Sequence, residues 1–263
     1  MPGIFFAKEI TDLNPFSSDR KYNEDWVELS ITNSREYEMM TTKSLLFSFK
    51  ISRFCNGWHF CAMDYIEYNI MFGRNVIFTG DMKDFEEAKT LYQGHSIYDP
   101  FLRPHEPDVL VHSTTLDGYR QIIKDGALKS WNKVKTEHGN SDDKPIGALL
   151  GDPHDFSDYV MLGGGLWIEI VVNSKQKGNV CMDADCEYIP GARFYFDTKQ
   201  LIKDGLLIRD GGHYKVKDEL PISYSLFCAT LENVYLSGKV TPKSFSMAAD
   251  KAFGEIKGIT NPF

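Results

Sequence analysis

The sequence predicts an α+β fold, with a split β-sheet core and few short helices, preceded by a smaller α/β segment. Three observations carry this. Beyond Pro107, short apolar or alternating runs outnumber helical patterns, whereas a doubly wound parallel sheet needs a helix at nearly every crossover. The proline-rich stretch Pro100, Arg103, Pro104, His105, Pro107 reads as a linker or exposed crossing. It sets residues 1–105 apart as an accessory segment or lobe and makes residues 106–263 the main domain. Finally, 263 residues at 42% hydrophobic and 25% charged are enough for a sizeable core.

In the first segment, Leu45 to Ile51 alternates like a half-buried strand, with Leu45, Phe47, Phe49 and Ile51 on one face. Asn75 to Phe78 reads as a second strand. A helix follows, with Asp84 as N-cap, Glu87 completing a capping box and Phe85, Ala88 and Leu91 on one side. The opening forty residues show no clear periodicity. In the main domain, Asp108 to Val111 is a strand, Thr115 caps a helix with Leu116, Tyr119, Ile122 and Ile123 as its stripe, and Gly126 ends it. Thr136 to Lys144 is too polar for a core element and reads as a flexible loop. Strands are expected at Tyr159–Leu162, Leu166–Val172 and Arg193–Phe196, after which Asp197 caps a short helix closed by Gly205. Three more follow at Leu206–Arg209, Tyr214–Val216 and Leu226–Tyr235, the last broken. Thr241 and Pro242 open a final helix carrying Phe245, Ala249 and Phe253.

The net charge of −8 argues against nonspecific phosphate binding by the whole surface, although Lys129, Lys133, Lys135 and Lys199, Lys203 form local basic clusters. No apolar run approaches the roughly 18 residues a membrane helix needs, and Met1 to Lys8 has no leader pattern. A cytoplasmic protein without a membrane partner is expected. The five cysteines, at 55, 61, 181, 186 and 228, form an odd set without CxxC spacing, so reduced thiols are expected. Cys55, His59 and Cys61 do not make a closed zinc pattern, and no metal is expected. Asp152, His154 and Asp155 have ligand or acid–base types, which loop composition explains adequately.

The run Val109-Leu110-Val111-His112-Ser113-Thr114-Thr115, then a helix, then Ile123-Lys124-Asp125-Gly126-Ala127-Leu128, resembles the opening of the ADP-ribosyltransferase superfamily, where a strand ends in a His-x-Thr signature. The continuation Lys129-Ser130-Trp131-Asn132 and the later Phe156-Ser157-Asp158-Tyr159-Val160 resemble the DNA-modifying ADP-ribosyltransferase toxins. Gln93-Gly94-His95-Ser96 ahead of His112-Ser113-Thr114, with the cadence of Asp197 to Pro221, is similar to the RNA 2′-phosphotransferases. There are departures. Thr90 stands where the phosphotransferases place an arginine, and no arginine lies between Arg120 and Arg193, where the DNA-modifying toxins carry one.

The resemblance implies an ADP-ribosyltransferase-like domain that consumes NAD as substrate and modifies a macromolecule, with DNA or RNA favoured over protein. It implies that His112, Ser113 and Thr114 bind NAD, His112 holding the adenosine-side ribose, and that Tyr159 stacks on nicotinamide. Breaking the nicotinamide–ribose bond develops oxocarbenium character, so a carboxylate must stand near that sugar. Glu187, in a polar stretch between strands, is the first choice. Glu232 is the alternative and Glu169 a third. Arg193 has the bidentate fork to pair with the NAD diphosphate. The rival readings are an RNA 2′-phosphotransferase-like enzyme and a catalytically inactive binding module on the same fold.

Overall fold

Strands β1 (Ile4–Ala7), β2 (Trp26–Thr32), β3 (Met39–Lys43), β4 (Leu46–Ser52) and β5 (Asn75–Thr79) build a five-stranded sheet in the order β1-β5-β2-β4-β3. The first four in that order run parallel and β3 is antiparallel. The computed structural model describes residues 2–35, 39–43, 46–139 and 152–257.

Alternation fixes the faces of this sheet. Val27, Leu29 and Ile31 of β2 lie beside Phe47, Phe49 and Ile51 of β4, all buried, but β4 is not the half-buried strand expected, because Leu46, Ser48 and Ser52 on its other face are buried as well; Leu45 lies outside the described residues. Helix α1 (Trp58–Met71) packs Tyr65 against Phe49, ring centroids 5.1 Å apart. Gly57 opens α1 at φ 72°, and a Cβ there would meet the His105 ring at 2.1 Å, so glycine is required twice over. Helix α2 (Met82–Leu91) follows β5.

The chain then continues through β6 (Val109–Thr114), α3 (Leu116–Asp125), β7 (Ala127–Lys129), α4 (Trp131–His138), β8 (Tyr159–Leu162), α5 (Trp167–Lys177), β9 (Ala192–Asp197) and α6 (Thr198–Lys203). After these come β10 (Leu207–Arg209), β11 (Tyr214–Lys217), β12 (Glu219–Pro221), β13 (Ser225–Ala229) and α7 (Pro242–Lys257). Two units result. Unit 1 comprises Met1–Glu106, Leu150–Phe156 and Leu207–Lys215; unit 2 comprises Pro107–Leu149, Ser157–Leu206 and Val216–Phe263. The division at Glu106/Pro107 adjoins the boundary read from the sequence, with two returns to unit 1 that the sequence reading did not contain.

Unit 2 carries a three-stranded antiparallel sheet, β13-β9-β6, and a separate β12-β7 pair, so its strands are split among small sheets. Its core gathers Val111, Val172, Tyr188, Tyr195, Ala229, Phe245, Ala249 and Phe253, on the side of the sheet covered by α7. The whole is a mixed α and β protein. Among the described residues, no helix is long and apolar enough to cross a membrane.

Several sequence expectations are corrected. Leu166–Val172 is not a strand: from Trp167 it is helix α5, buried through Glu169, Ile170, Asn173 and Ser174, one helical face. Its apolar, β-branched composition reads as strand, but tertiary packing overrides that preference. The N-cap of α2 is Asp81, which accepts from the Lys83 amide, while Asp84 in the first turn is turned to Arg53. Leu226–Tyr235 is strand only over Ser225–Ala229. Thr136–His138 finish helix α4 rather than open a loop, and residues 140–144 of that expected loop lie outside the described residues. The sequence reading also missed α1, which shows no clear amphipathic stripe because both its sides are buried.

Candidate functional site

The two faces of β13-β9-β6 divide the residues singled out from the sequence. Directly paired residues in an antiparallel ladder share a face, and their neighbours in the chain take the other. Register aligns Ser113 with Arg193 and Arg193 with Ala229 on one face. The row His112, Phe194, Cys228 lies on the opposite one.

The Arg193 face is sealed. Its guanidinium is wholly buried and donates from Nη1 to Glu169 at 3.2 Å and from Nη2 to the Gly165 carbonyl at 3.2 Å. Nε donates to Asp250 and to the Tyr195 hydroxyl, both at 3.1 Å. Glu169, in the first turn of α5, also accepts from the Ser113 hydroxyl and from the Tyr188 hydroxyl, the latter at 2.5 Å. Burial pushes the Glu169 carboxyl above the usual carboxylate range, opposed by Arg193, Ser113 and Tyr188. Burial also works against the Arg193 charge, yet Asp250, Tyr195 and Glu169 hold it above its ordinary value. With its donors on Glu169, Asp250, Tyr195 and Gly165, Arg193 presents no fork to an NAD diphosphate in this conformation. Ser113 is likewise committed to Glu169, which is no surface carboxylate.

The opposite face is partly open. His112 is half-buried at the end region of β6, its Nδ1 3.0 Å from the Met161 carbonyl. A carbonyl only accepts, so Nδ1 carries the proton and the neutral ring keeps Nε2 as its acceptor. Burial lowers the His112 pKa below that of an ordinary histidine, and the Lys175 charge adds to this. Thr114 shares this face by alternation, and a Cβ on Gly118 would come within 2.2 Å of its hydroxyl oxygen, so α3 starts close above it. From α3, Tyr119 approaches Phe194, ring centroids 6.3 Å apart. Burial pushes its phenol up, and the nearby Cys228 and Glu232 push it further. Cys228 is desolvated, its thiol pushed up to about 11, so it stays protonated and is a poor nucleophile.

The remaining expected residues are dispersed. Glu187 is exposed beside the buried Tyr188, and Glu232 is exposed in the turn after β13. Tyr159 is buried at the start of β8, a strand that belongs to a different sheet from the one that carries His112. No protein-family model, curated protein or solved structure matches the chain.

Other motifs resolve into pairs. Asp155 binds Arg74 and accepts from Tyr68, His154 meets Glu24 at 2.5 Å, and Asp152 is held up near 6 by burial, so the three do not form one centre. In the Gln93–Ser96 motif, His95 bonds Asp99 at 2.7 Å and Ser96 donates to Glu67 at 2.7 Å. Arg209, flanking the 210–212 turn, is buried against Glu106 at 2.5 Å. Among the described residues, the metal-capable grouping is Asp125, Glu137 and His138. The Lys129 ammonium already sits there, 3.0 Å from Asp125 and paired with Glu137. Cys55, His59 and Cys61 are not gathered into such a group.

The sequence reading missed Tyr119 as more than a core residue and Asp250 altogether. Tyr119 was legible as part of the α3 stripe. Asp250 stands in α7 between apolar positions, where a lone acid within an apolar face signals a buried partner.

Proposed function

We propose that unit 2 is an NAD-consuming ADP-ribosyltransferase that modifies a macromolecule, nucleic acid being favoured. The observation that carries the reading is the state of His112: a neutral ring on the half-open face, anchored through Nδ1, with Nε2 as an acceptor. A ribose hydroxyl is the donor such a ring takes. The His112-Ser113-Thr114 resemblance points to the same substrate, and the split sheets of unit 2 are compatible with that fold.

On this reading His112, helped by the Thr114 hydroxyl, fixes the ribose, which turns a loose encounter into an oriented one. Glu232 is the favoured acid, because it stands in the turn directly after β13, the strand whose Cys228 lies in the His112 row. As the nicotinamide–ribose bond breaks, that carboxylate offsets the positive charge developing on the sugar, and an acceptor nucleophile then takes the anomeric carbon. Glu187 remains the rival acid, and Glu169 is excluded by its engagement with Arg193, Ser113 and Tyr188.

The test is to incubate the chain with labelled NAD and, separately, DNA, RNA, RNA bearing an internal 2′-phosphate, and a cell lysate, following nicotinamide release and label transfer. His112→Ala should weaken NAD binding roughly tenfold, the loss of about one hydrogen bond to a polar group. Glu232→Gln should abolish transfer with NAD still bound, and Glu187→Gln should leave it intact. NAD binding without turnover in the unaltered chain would favour an inactive binding module. The absence of both binding and turnover would sink the proposal.

A further inference from the structure

Cys181 and Cys186 bracket the turn that follows α5 and stand close together: their Sγ atoms are 3.9 Å apart. Both are reduced and partly exposed. Lys177, in the last turn of α5, donates from Nζ to both sulfurs, at 3.3 Å to Cys181 and 2.9 Å to Cys186. Asn173, one helical turn earlier, donates to Cys186 at 3.1 Å. The turn is anchored at its start by the Cys181 amide on the Ser174 hydroxyl at 3.0 Å. One helical face of α5 thus presents an ammonium, an amide and a hydroxyl to a six-residue Cys-to-Cys turn.

We propose that Cys181 and Cys186 form a thiol–disulfide exchange site that closes reversibly into an intramolecular disulfide. Bonding needs the sulfurs to approach to about 2.05 Å, a shift of about 2 Å within one exposed turn. Donors on sulfur favour the thiolate, which is the attacking species. The Asp183 amide, then Lys177, hold the Cys181 thiol below the usual range, whereas Cys228 is pushed up to about 11. The co-reactant is a small-molecule disulfide. The Cys181 thiolate attacks one of its sulfurs, forming a mixed disulfide and expelling one thiolate. Cys186 then gives its proton to solvent, attacks the Cys181 sulfur and expels the second thiolate. Two protein thiols and one disulfide become one protein disulfide and two small thiols. This proposal stands independently of the ADP-ribosyltransferase reading.

The experiment equilibrates the full chain in graded mixtures of oxidised and reduced glutathione, quenches with N-ethylmaleimide and maps the tryptic peptides. Both cysteines fall in the peptide 178–193. The expected result is that this peptide loses the mass of two hydrogens and escapes alkylation while Cys55, Cys61 and Cys228 remain alkylated. Reduction should restore it. Cys186→Ser should instead accumulate glutathione at Cys181, and in a quenched time course Lys177→Met, followed in the peptide 176–193 because its tryptic site is lost, should close several-fold more slowly near neutral pH. If 178–193 is alkylated at both positions throughout, or holds mixed disulfides without closing, the assignment is overturned.

Discussion

The two faces of the β13-β9-β6 sheet use the same strands and opposite chemistry. On one, Arg193, Glu169, Ser113, Tyr188 and Tyr195 are buried and close on each other, with the partly exposed Asp250 at the edge of the network. On the other, His112, Cys228 and Tyr119 are only partly covered, and each titrating group there is shifted chiefly by burial rather than by an ion pair. Buried charges must be matched before they can be tolerated. The difference teaches that charge content is a poor guide to which face keeps groups available to a ligand, because the face richest in charge has consumed it internally.

Breaking the sealed face should give the largest effect. Glu169→Ala leaves Arg193 buried beside a lost partner and should destabilise unit 2 by about 3–5 kcal/mol, read as a lower urea midpoint. Glu169→Gln, which keeps a side-chain oxygen for Arg193 and Ser113 while removing the charge, should lose less than Glu169→Ala; if the two variants are equally destabilised, the hydrogen bonds to this side chain are not what holds the face together. The open face should respond to pH instead. His112 has a folded-state pKa below that of the unfolded chain. Its contribution is therefore fully present above about 6.5, the unfolded value, and is lost as pH falls through the lowered folded value. NAD affinity is set by the ring of the folded chain, so it should stay flat from pH 8 to below about 6.5 and decline only as pH falls through the lowered folded value, and His112→Asn should remove that acid limb. The smallest effect belongs to exposed acids: Glu232→Gln should alter stability by less than about 0.5 kcal/mol while removing transfer. A large loss of stability there would show that Glu232 is structural.

What was legible depended on whether local pattern and burial agreed. The strand read at Asp108 to Val111, which the structure extends through His112 to Thr114, the Thr115 cap and Gly126 stop of α3, and the Asp197 cap of α6 were readable because their signals are local, and the caps form the expected bonds. Helix α5 was not. Leu166 to Val172 offers apolar and β-branched residues in a run, and only the far-off strand β9, bringing Arg193 to Glu169, shows why a helical face is needed there. The partners of Arg193 were not legible for the same reason: a guanidinium suits a diphosphate or a buried acid equally, and the acid lies 24 residues away. The face division itself was available from alternation along β6, which puts His112 and Ser113 on opposite sides, but the resemblance treats the three signature residues as one group.

The path of the chain through unit 1 sets an order of events during synthesis. Glu106 is a buried acid whose cation, Arg209, lies 103 residues later. The Asp210–Lys215 pair, also wholly buried, comes from the same late stretch. As a chain made from its N-terminus emerges, unit 1 therefore holds its sheet residues long before it holds the cation that neutralises Glu106. Unit 1 cannot reach its final stability until residue 215 has been made, after most of unit 2, and no single cut of the chain releases either unit whole.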